Sequence, residues 1–337
     1  MRGEGRGRVG AAALLAAAVG GCVSANDDDS AVPPPEPLVV VTFNTGTTEG
    51  LPHEAAPDDG YGDEQAAISD AWYGDGLAWS PVVEDARAWF AETPADIVGF
   101  QEVFWSGECP GIPGDFHPGW VCDGWSDGDP TVAQTVLGAG WQVACHAGKP
   151  DKCVAVRRAV GTIVGCDDAL CLDALDGAEV EGCGSGSRVG RARVALVDGG
   201  ELTVVHVHGS SGLSADDKAC REAQFRLVFE DLGDGEPAAN GDRNVVLGDF
   251  NTDPGRFLGT DASAAYLAGV ADGSEYAFHT EVGPDATPTY AGLANIDHVL
   301  SDGFVGDCWH AGIDGREAVS DAVYFDHVPA VCALEPR

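Results

Sequence analysis

Apolar residues along this chain gather in short runs, and each run closes on a polar side chain. Val39-Val40-Val41-Thr42-Phe43, Ile97-Val98-Gly99-Phe100, Leu202-Thr203-Val204-Val205 and Val245-Val246-Leu247 read as buried strands, since short β-branched runs bounded by turn residues suit a strand covered on both faces. The pattern predicts strands at 38–43, 97–101, 153–157, 193–197, 202–207, 244–248, 296–300 and 329–334. It predicts a helix over 81–92 after Ser80-Pro81, and a second from Ala215 to Leu232, where Ala219, Ala223, Phe225, Leu227 and Phe229 give an apolar face. The stretches 45–80 and 105–135, rich in Gly, Pro, Asp and Trp, read as long loops. Loops of that length inside a domain are usually functional or pinned, and these two flank Asn44 and Glu102. No internal repeat is evident, and the motifs spread over residues 38–335, so one domain is expected rather than two.

The first residues change where the protein is expected to work. Arg2, Arg6 and Arg8 precede an apolar stretch from Val9 to Gly20, too short to span a membrane, and Gly21-Cys22 follows: the three-part pattern of a secretory signal. Val19-Gly20-Gly21-Cys22 looks like a bacterial lipobox. The expectation is a signal peptide over 1–21, a lipid on Cys22, a solvated tether over 22–37, and a cell-envelope lipoprotein held to a membrane. An ordinary secretory signal with a chance cysteine stays open. Of eleven cysteines, ten then remain, an even number that points to disulfides and an oxidising compartment. The simplest pairings join Cys109 with Cys122, Cys145 with Cys153 and Cys166 with Cys171, leaving Cys183 with Cys220 and Cys308 with Cys332; spacing alone does not fix the connectivity.

The formal net charge is −37, and removing residues 1–21 takes away three Arg and one Glu, so the mature chain is more acidic still. Such a chain repels polyanions at long range unless a local basic patch compensates. The acidic residues are scattered through loops, which suits solubility better than a binding role.

The polar residues that close the apolar runs are Asn44, Gln101-Glu102, His206 with His208, and Asp249 with Asn251, while Asp297-His298 and Asp326-His327 accompany two later runs. Carboxylates hold a hard cation, and amides and imidazoles hold an anion, so the set suits metal-assisted chemistry on a phosphate. Gly248-Asp249-Phe250-Asn251 is the sharpest signal: two residues apart in an extended segment, Asp249 and Asn251 would project to one side. With Asp96-Ile97-Val98-Gly99-Phe100-Gln101-Glu102-Val103, Asn295-Ile296-Asp297-His298-Val299-Leu300 and Asp326-His327-Val328-Pro329, it resembles the endonuclease/exonuclease/phosphatase superfamily across nearly all of 38–335. His208 falls on the family's phosphate-binding His, His206 stands where the family has Asn, and Phe325 replaces a usual Ser.

The resemblance implies a four-layer α/β sandwich of the DNase I type, two β-sheets face to face with helices outside. It also implies a divalent cation, Mg²⁺ or Mn²⁺, at Glu102 with Asn44 nearby and Asp326, and catalytic roles for His208, Asp249, Asn251, Asp297 and His327. Whether Asp249 or His327 takes the proton from water is left open. A monomeric phosphoesterase is expected, acting on a lipid head group or small molecule in preference to nucleic acid. A secreted nuclease and a non-catalytic surface-binding lipoprotein are the alternatives.

Overall fold

The computed structural model describes residues 36–47 and 60–337, so the expected leader, lipid site and most of the tether lie outside the described residues. In chain order the elements are β1 (Leu38–Asn44), α1 (Asp63–Ile68), α2 (Ser80–Glu92), β2 (Ile97–Gln101), α3 (Val132–Leu137), β3 (Trp141–His146), β4 (Lys149–Arg157), β5 (Gly161–Ile163), β6 (Leu170–Ala178), β7 (Val189–Leu196), β8 (Glu201–His208), α4 (Ala215–Phe229), β9 (Asn244–Asp249), α5 (Pro254–Phe257), α6 (Ala262–Val270), β10 (Ala277–Phe278), β11 (Asp297–Ser301), β12 (Phe304–His310) and β13 (Ala330–Pro336).

One half of the β-structure runs β3-β4-β2-β1-β13-β12, the other β10-β11-β9-β8-β7 with β5 also on β7. The two face each other as expected and are linked through one strand. Strand β6 pairs parallel with β3 near its start and antiparallel with β7 at Asp176–Ala178, so the hydrogen-bonded path is continuous and folds over there. Alternation then decides what each face meets. Val40, Ile97, Val154 and Val156 of the first half pack against Val204, Val245, Leu247 and Val299 of the second, all out of water. The opposite faces carry Val41, Phe43, Val98 and Phe100 against Val83, Ala86, Trp89 and Phe90 of α2, and Val205, Val207 and Val246 against Phe225 and Val228 of α4 and Leu267 of α6. These are the four layers. Each fully buried Leu, Val or Phe contributes about 1.5–3 kcal/mol through removal from water.

The helices start and stop for local reasons. Pro81 sits in the first turn of α2, where its missing N–H costs nothing, and the helix ends at Thr93 before Pro94. Ser214 caps α4, its Oγ accepting from Asp217 N at 3.1 Å. Between His208 and α4 runs a loop clamped by Arg221, which is buried whole. Its guanidinium donates to the Ser210 and Gly212 carbonyls and to Asp261 Oδ2, each at 2.7 Å, and to Ser263 Oγ at 3.2 Å. All five disulfides join the pairs that spacing suggested.

Strands β3, β5, β6, β10 and β12 and helices α1, α3, α5 and α6 were not in the sequence pattern. In β3 the buried Gln142 breaks the apolar run, its polar ends satisfied by Ile163 N and the Cys166 carbonyl. The stretch 45–80 is no bare loop: it holds α1 and a turn of π-helix over Ser69–Tyr73, with Tyr61, Tyr73 and Leu77 in the core.

Candidate active site

In the register of the second half, His208 of β8 lies beside Asp249 of β9, and Asp249 lies beside Asp297 of β11. Three polar side chains thus emerge in a row where their strands end. In the first half Asn44 closes β1 beside Gln101 of β2, and Glu102 follows at once with φ +59. That left-handed backbone is unfavourable for a Glu and turns it away from the strand direction. Gly46 lies close against it: a Cβ there would lie 2.1 Å from Glu102 Oε2, so a larger residue would displace that carboxylate. Asp326 and His327 come just ahead of β13, and Asp326 N donates to the Gly46 carbonyl at 3.2 Å.

The two halves meet through these side chains. Asn44 Nδ2 donates to Asp249 Oδ2 at 3.0 Å and lies 3.4 Å from Glu102 Oε1. His208 Nε2 is 3.3 Å from Glu102 Oε1 and 3.7 Å from Asp249 Oδ2. His327 Nδ1 bonds Asp297 Oδ2 at 2.7 Å, while its Nε2 lies 3.9 Å from both Asp249 Oδ2 and Asp326 Oδ1. Asn251 meets Asp249, but not by the extended geometry expected. It has φ +51, beyond the end of β9, and its side chain curls back to donate to Asp249 Oδ2 at 2.9 Å while its backbone N–H donates to Oδ1 at 2.7 Å. All eight predicted site residues therefore fall in one cluster, and Tyr290 joins them with its ring 4.9 Å from that of His327.

Crowded buried charges shift the acids and bases. Burial, then the neighbouring Asp297 carboxylate, pushes Asp249 up to about 7 against the pull of His327 and the Asn44 and Asn251 hydrogen bonds. Burial, Glu102 and Asp297 push Asp326 up to about 6. Burial opposes the charge on His327, but Asp297, Asp249 and Asp326 outweigh it and hold the ring protonated, up to about 10. His208 is the opposite case: burial and the positive charges of Lys152 and Arg188 keep it well below its ordinary value, so it is neutral.

A hard divalent cation fits this donor set. Carboxylates crowded out of water are what such an ion neutralises, and Asp326 Oδ1 is buried with no hydrogen-bond partner. Glu102 is the partly exposed carboxylate at the mouth. Asn44 turns its amide nitrogen toward the two carboxylates, and its oxygen accepts from Gly46 N at 3.0 Å. Asp249, Asp297 and His327 also bring ligand atoms within 4.8 Å of one another, but there Asp297 and His327 are already joined and Asp249 accepts from two Asn side chains. Of the buried carboxylate oxygens in the cluster, Asp326 Oδ1 and Asp297 Oδ1 have no hydrogen-bond partner.

His206 does not reach the cluster. It sits one alternation below His208, fully buried, with Gln101 Nε2 2.7 Å from its Nε2 and His146 Nε2 2.8 Å from its Nδ1. Phe325 packs 4.9 Å from the Phe43 ring, filling core where a Ser would not. The sequence pattern gave Tyr290 no role and passed over Lys152 and Arg188, since a lone cation within or ahead of a strand resembles any solvated residue.

Two half-sheets face to face under outer helices, with polar strand ends converging at one edge, make this an endonuclease/exonuclease/phosphatase fold of the DNase I type. The catalytic domain of human Nocturnin, solved with bound sulfate, is similar over 90% of this chain and 94% of its own, with 12% identity and a TM-score of 0.53. An endonuclease/exonuclease/phosphatase from Beutenbergia cavernae is similar over 90% of this chain and 72% of its own, with 19% identity and a TM-score of 0.51. No family model and no curated protein sequence matches the chain.

Proposed function

We propose that the protein is a divalent-metal-dependent phosphoesterase that hydrolyses a phosphodiester or phosphomonoester by attack of water. The observation behind this is the cluster itself: a cation-fitting pair of carboxylates, a raised buried Asp and a charged His–Asp pair within contact of one another. Glu102 and Asp326, with Asn44 beside them, would hold Mg²⁺ or Mn²⁺. Such an ion, when bound, polarises a phosphoryl oxygen and eases departure of the alkoxide. Asp249, fixed by Asn44 and Asn251 and raised toward neutrality, accepts the proton of the attacking water. His327 is already charged and already tied to Asp297, so it serves as donor to the phosphoryl oxygens rather than as base. Neutral His208 donates from the other side.

An exported, lipid-anchored enzyme would meet head groups or small phosphoesters at a membrane face, and five disulfides suit that oxidising setting. Nuclease action is the second reading, disfavoured by the net charge of −37. The test is a screen of the purified protein with Mg²⁺ or Mn²⁺ on nucleic acids, phospholipids, sphingomyelin and small phosphoesters. Full activity in chelator would overturn the metal mechanism. Faster cleavage of DNA than of every lipid and small phosphoester, falling steeply with salt, would make the enzyme a nuclease.

A further inference from the structure

Beneath the catalytic cluster, the filling between the half-sheets is not apolar throughout. Thr42, Gln101 and His206 lie on the same inner faces as Val40, Ile97 and Val204, and with His146 and Ser187 they form a polar row buried from end to end. Gln101 Nε2 donates to the Gly99 carbonyl at 3.1 Å and reaches His206 Nε2 at 2.7 Å, while Gln101 Oε1 accepts from Thr42 Oγ1 at 3.3 Å. His206 Nδ1 is 2.8 Å from His146 Nε2, and His146 Nδ1 is 3.3 Å from Ser187 Oγ. Ser187 Oγ in turn donates to the Val189 carbonyl at 2.5 Å. From Gln101 of β2 to His206 of β8, back to His146 of β3 and on to Ser187 ahead of β7, the row crosses the seam at every link.

A backbone carbonyl stands at each end of the row, and carbonyls only accept, so the direction of every proton between them is fixed. Gln101 turns its amide nitrogen to Gly99 and to His206 Nε2, which leaves the proton of His206 on Nδ1. That proton goes to His146 Nε2, so His146 also carries its own proton on Nδ1 and gives it to Ser187. Burial above all keeps both rings uncharged, His146 down to about 3 and His206 well below its ordinary value. Two glycines make room for the rings: a Cβ at Gly99 would lie 3.0 Å from His206 Cδ2, and one at Gly190 would lie 2.9 Å from His146 Cε1. Strand β3 slips register at His146 against both of its neighbours, an irregularity of the kind that re-aims a side chain.

The row touches the chemistry through Gln101 and His206. Glu102 follows Gln101 at once, in a left-handed backbone that persists only where its surroundings impose it. His208 is the next residue on the face of His206, and its Nε2 meets Glu102 Oε1 at 3.3 Å. Resting on the phosphoesterase reading, we propose that His206 and His146 are positioning residues: their relay pins β2 to β8 beneath the site and so sets the place of Glu102 and its hold on a divalent cation. An aliphatic filling is non-directional and would let these strands shift, whereas a satisfied buried network admits one arrangement.

Two measurements on the intact protein test this without any substrate. First, the ring ¹⁵N shifts of both histidines are recorded in the metal-free protein. Each ring is expected to carry its proton on Nδ1, and Ser187→Ala, which removes one oxygen at the far end, is expected to move the His206 shifts. A proton on His206 Nε2, or His206 shifts that ignore Ser187→Ala, overturns the relay. Second, Mn²⁺ binding is followed by electron paramagnetic resonance of the free ion in the parent, His206→Leu, His206→Gln and Ser187→Ala. His206→Leu is expected to bind about tenfold more weakly, with His206→Gln, which keeps one acceptor and one donor, recovering most of the loss. Ser187→Ala, the mildest change, is expected to weaken binding by less, and it carries the comparison if circular dichroism shows that His206→Leu does not fold. Affinity equal to the parent in the folded variants overturns the proposal, as does a loss in His206→Leu that His206→Gln does not recover. A parent that binds no Mn²⁺ overturns both this proposal and the metal mechanism. Relay-dependent Mn²⁺ binding with no hydrolysis of any phosphoester overturns only the phosphoesterase reading.

Discussion

Asp297→Asn is the sharpest probe of the chemistry. Asp297 Oδ2 holds His327 Nδ1 at 2.7 Å inside the protein, and Asp297 Oδ1 has no other partner, so this one bond joins the carboxylate side chain to the site. A hydrogen bond to a charged group contributes about 1.5–3 kcal/mol, roughly ten- to a hundredfold in rate where it is felt in the transition state. The substitution also removes a negative charge that keeps His327 protonated, so the ring should lose its proton at lower pH than the value near 10 it has in the parent. His327→Ala should cost at least as much. Since the two act as one unit, the double variant should be little slower than His327→Ala alone. The assay is kcat/KM on bis(p-nitrophenyl) phosphate at saturating metal, with urea midpoints to verify folding and ¹⁵N shifts of the His327 ring to follow its charge. Additive losses, or a ring titration untouched by Asp297→Asn, would refute the pairing.

Arg221→Met should cost about 3–5 kcal/mol, because it strands the buried Asp261 carboxylate, and the double variant with Asp261→Asn should lose less than the two singles together; urea unfolding measures both. Burial alone would raise Asp261, but Ser263 and Arg221 outweigh it and hold it below the ordinary range. That stability is present above the unfolded value near 4 and drains as pH falls through the folded one, so Asp261→Asn should flatten acid unfolding. Glu102→Gln should raise the metal concentration needed for half-maximal rate well above that of the parent, read by Mn²⁺ titration of activity; an unchanged requirement would remove Glu102 from the ligand set. Cys22→Ser should release the protein from membranes and abolish incorporation of labelled fatty acid, and a mature N-terminus beyond Cys22 by mass spectrometry would exclude the anchor.

The site was legible because chemistry sits at the ends of apolar runs. Asn44, Glu102, His208 and Asp249 each terminate or follow a strand that is mostly apolar in the sequence. Strands with a polar interior were not legible: the inner residues of β3 include Gln142 and His146, whose partners come from Ile163, Cys166 and His206, contacts between segments that no local pattern encodes. The turn at Asn251 was misjudged for the opposite reason, since a left-handed residue is set by where its side chain is pulled, here onto Asp249.

The crease at β6 makes the cluster a seam rather than a pocket in one sheet. Asn44 with Asp249, Glu102 with His208 and His327 with Asp297 each reach from one half-sheet to the other. The gap they bridge is set by the filling between the halves, where Leu247 presses so near Gly99 that a Cβ there would lie 2.4 Å from its Cδ1. Leu247 and Gly99 thereby act as a shim. Thinning or thickening it alters the bite of the site without touching a polar residue, so the chemistry of this protein can be tuned by its most apolar layer.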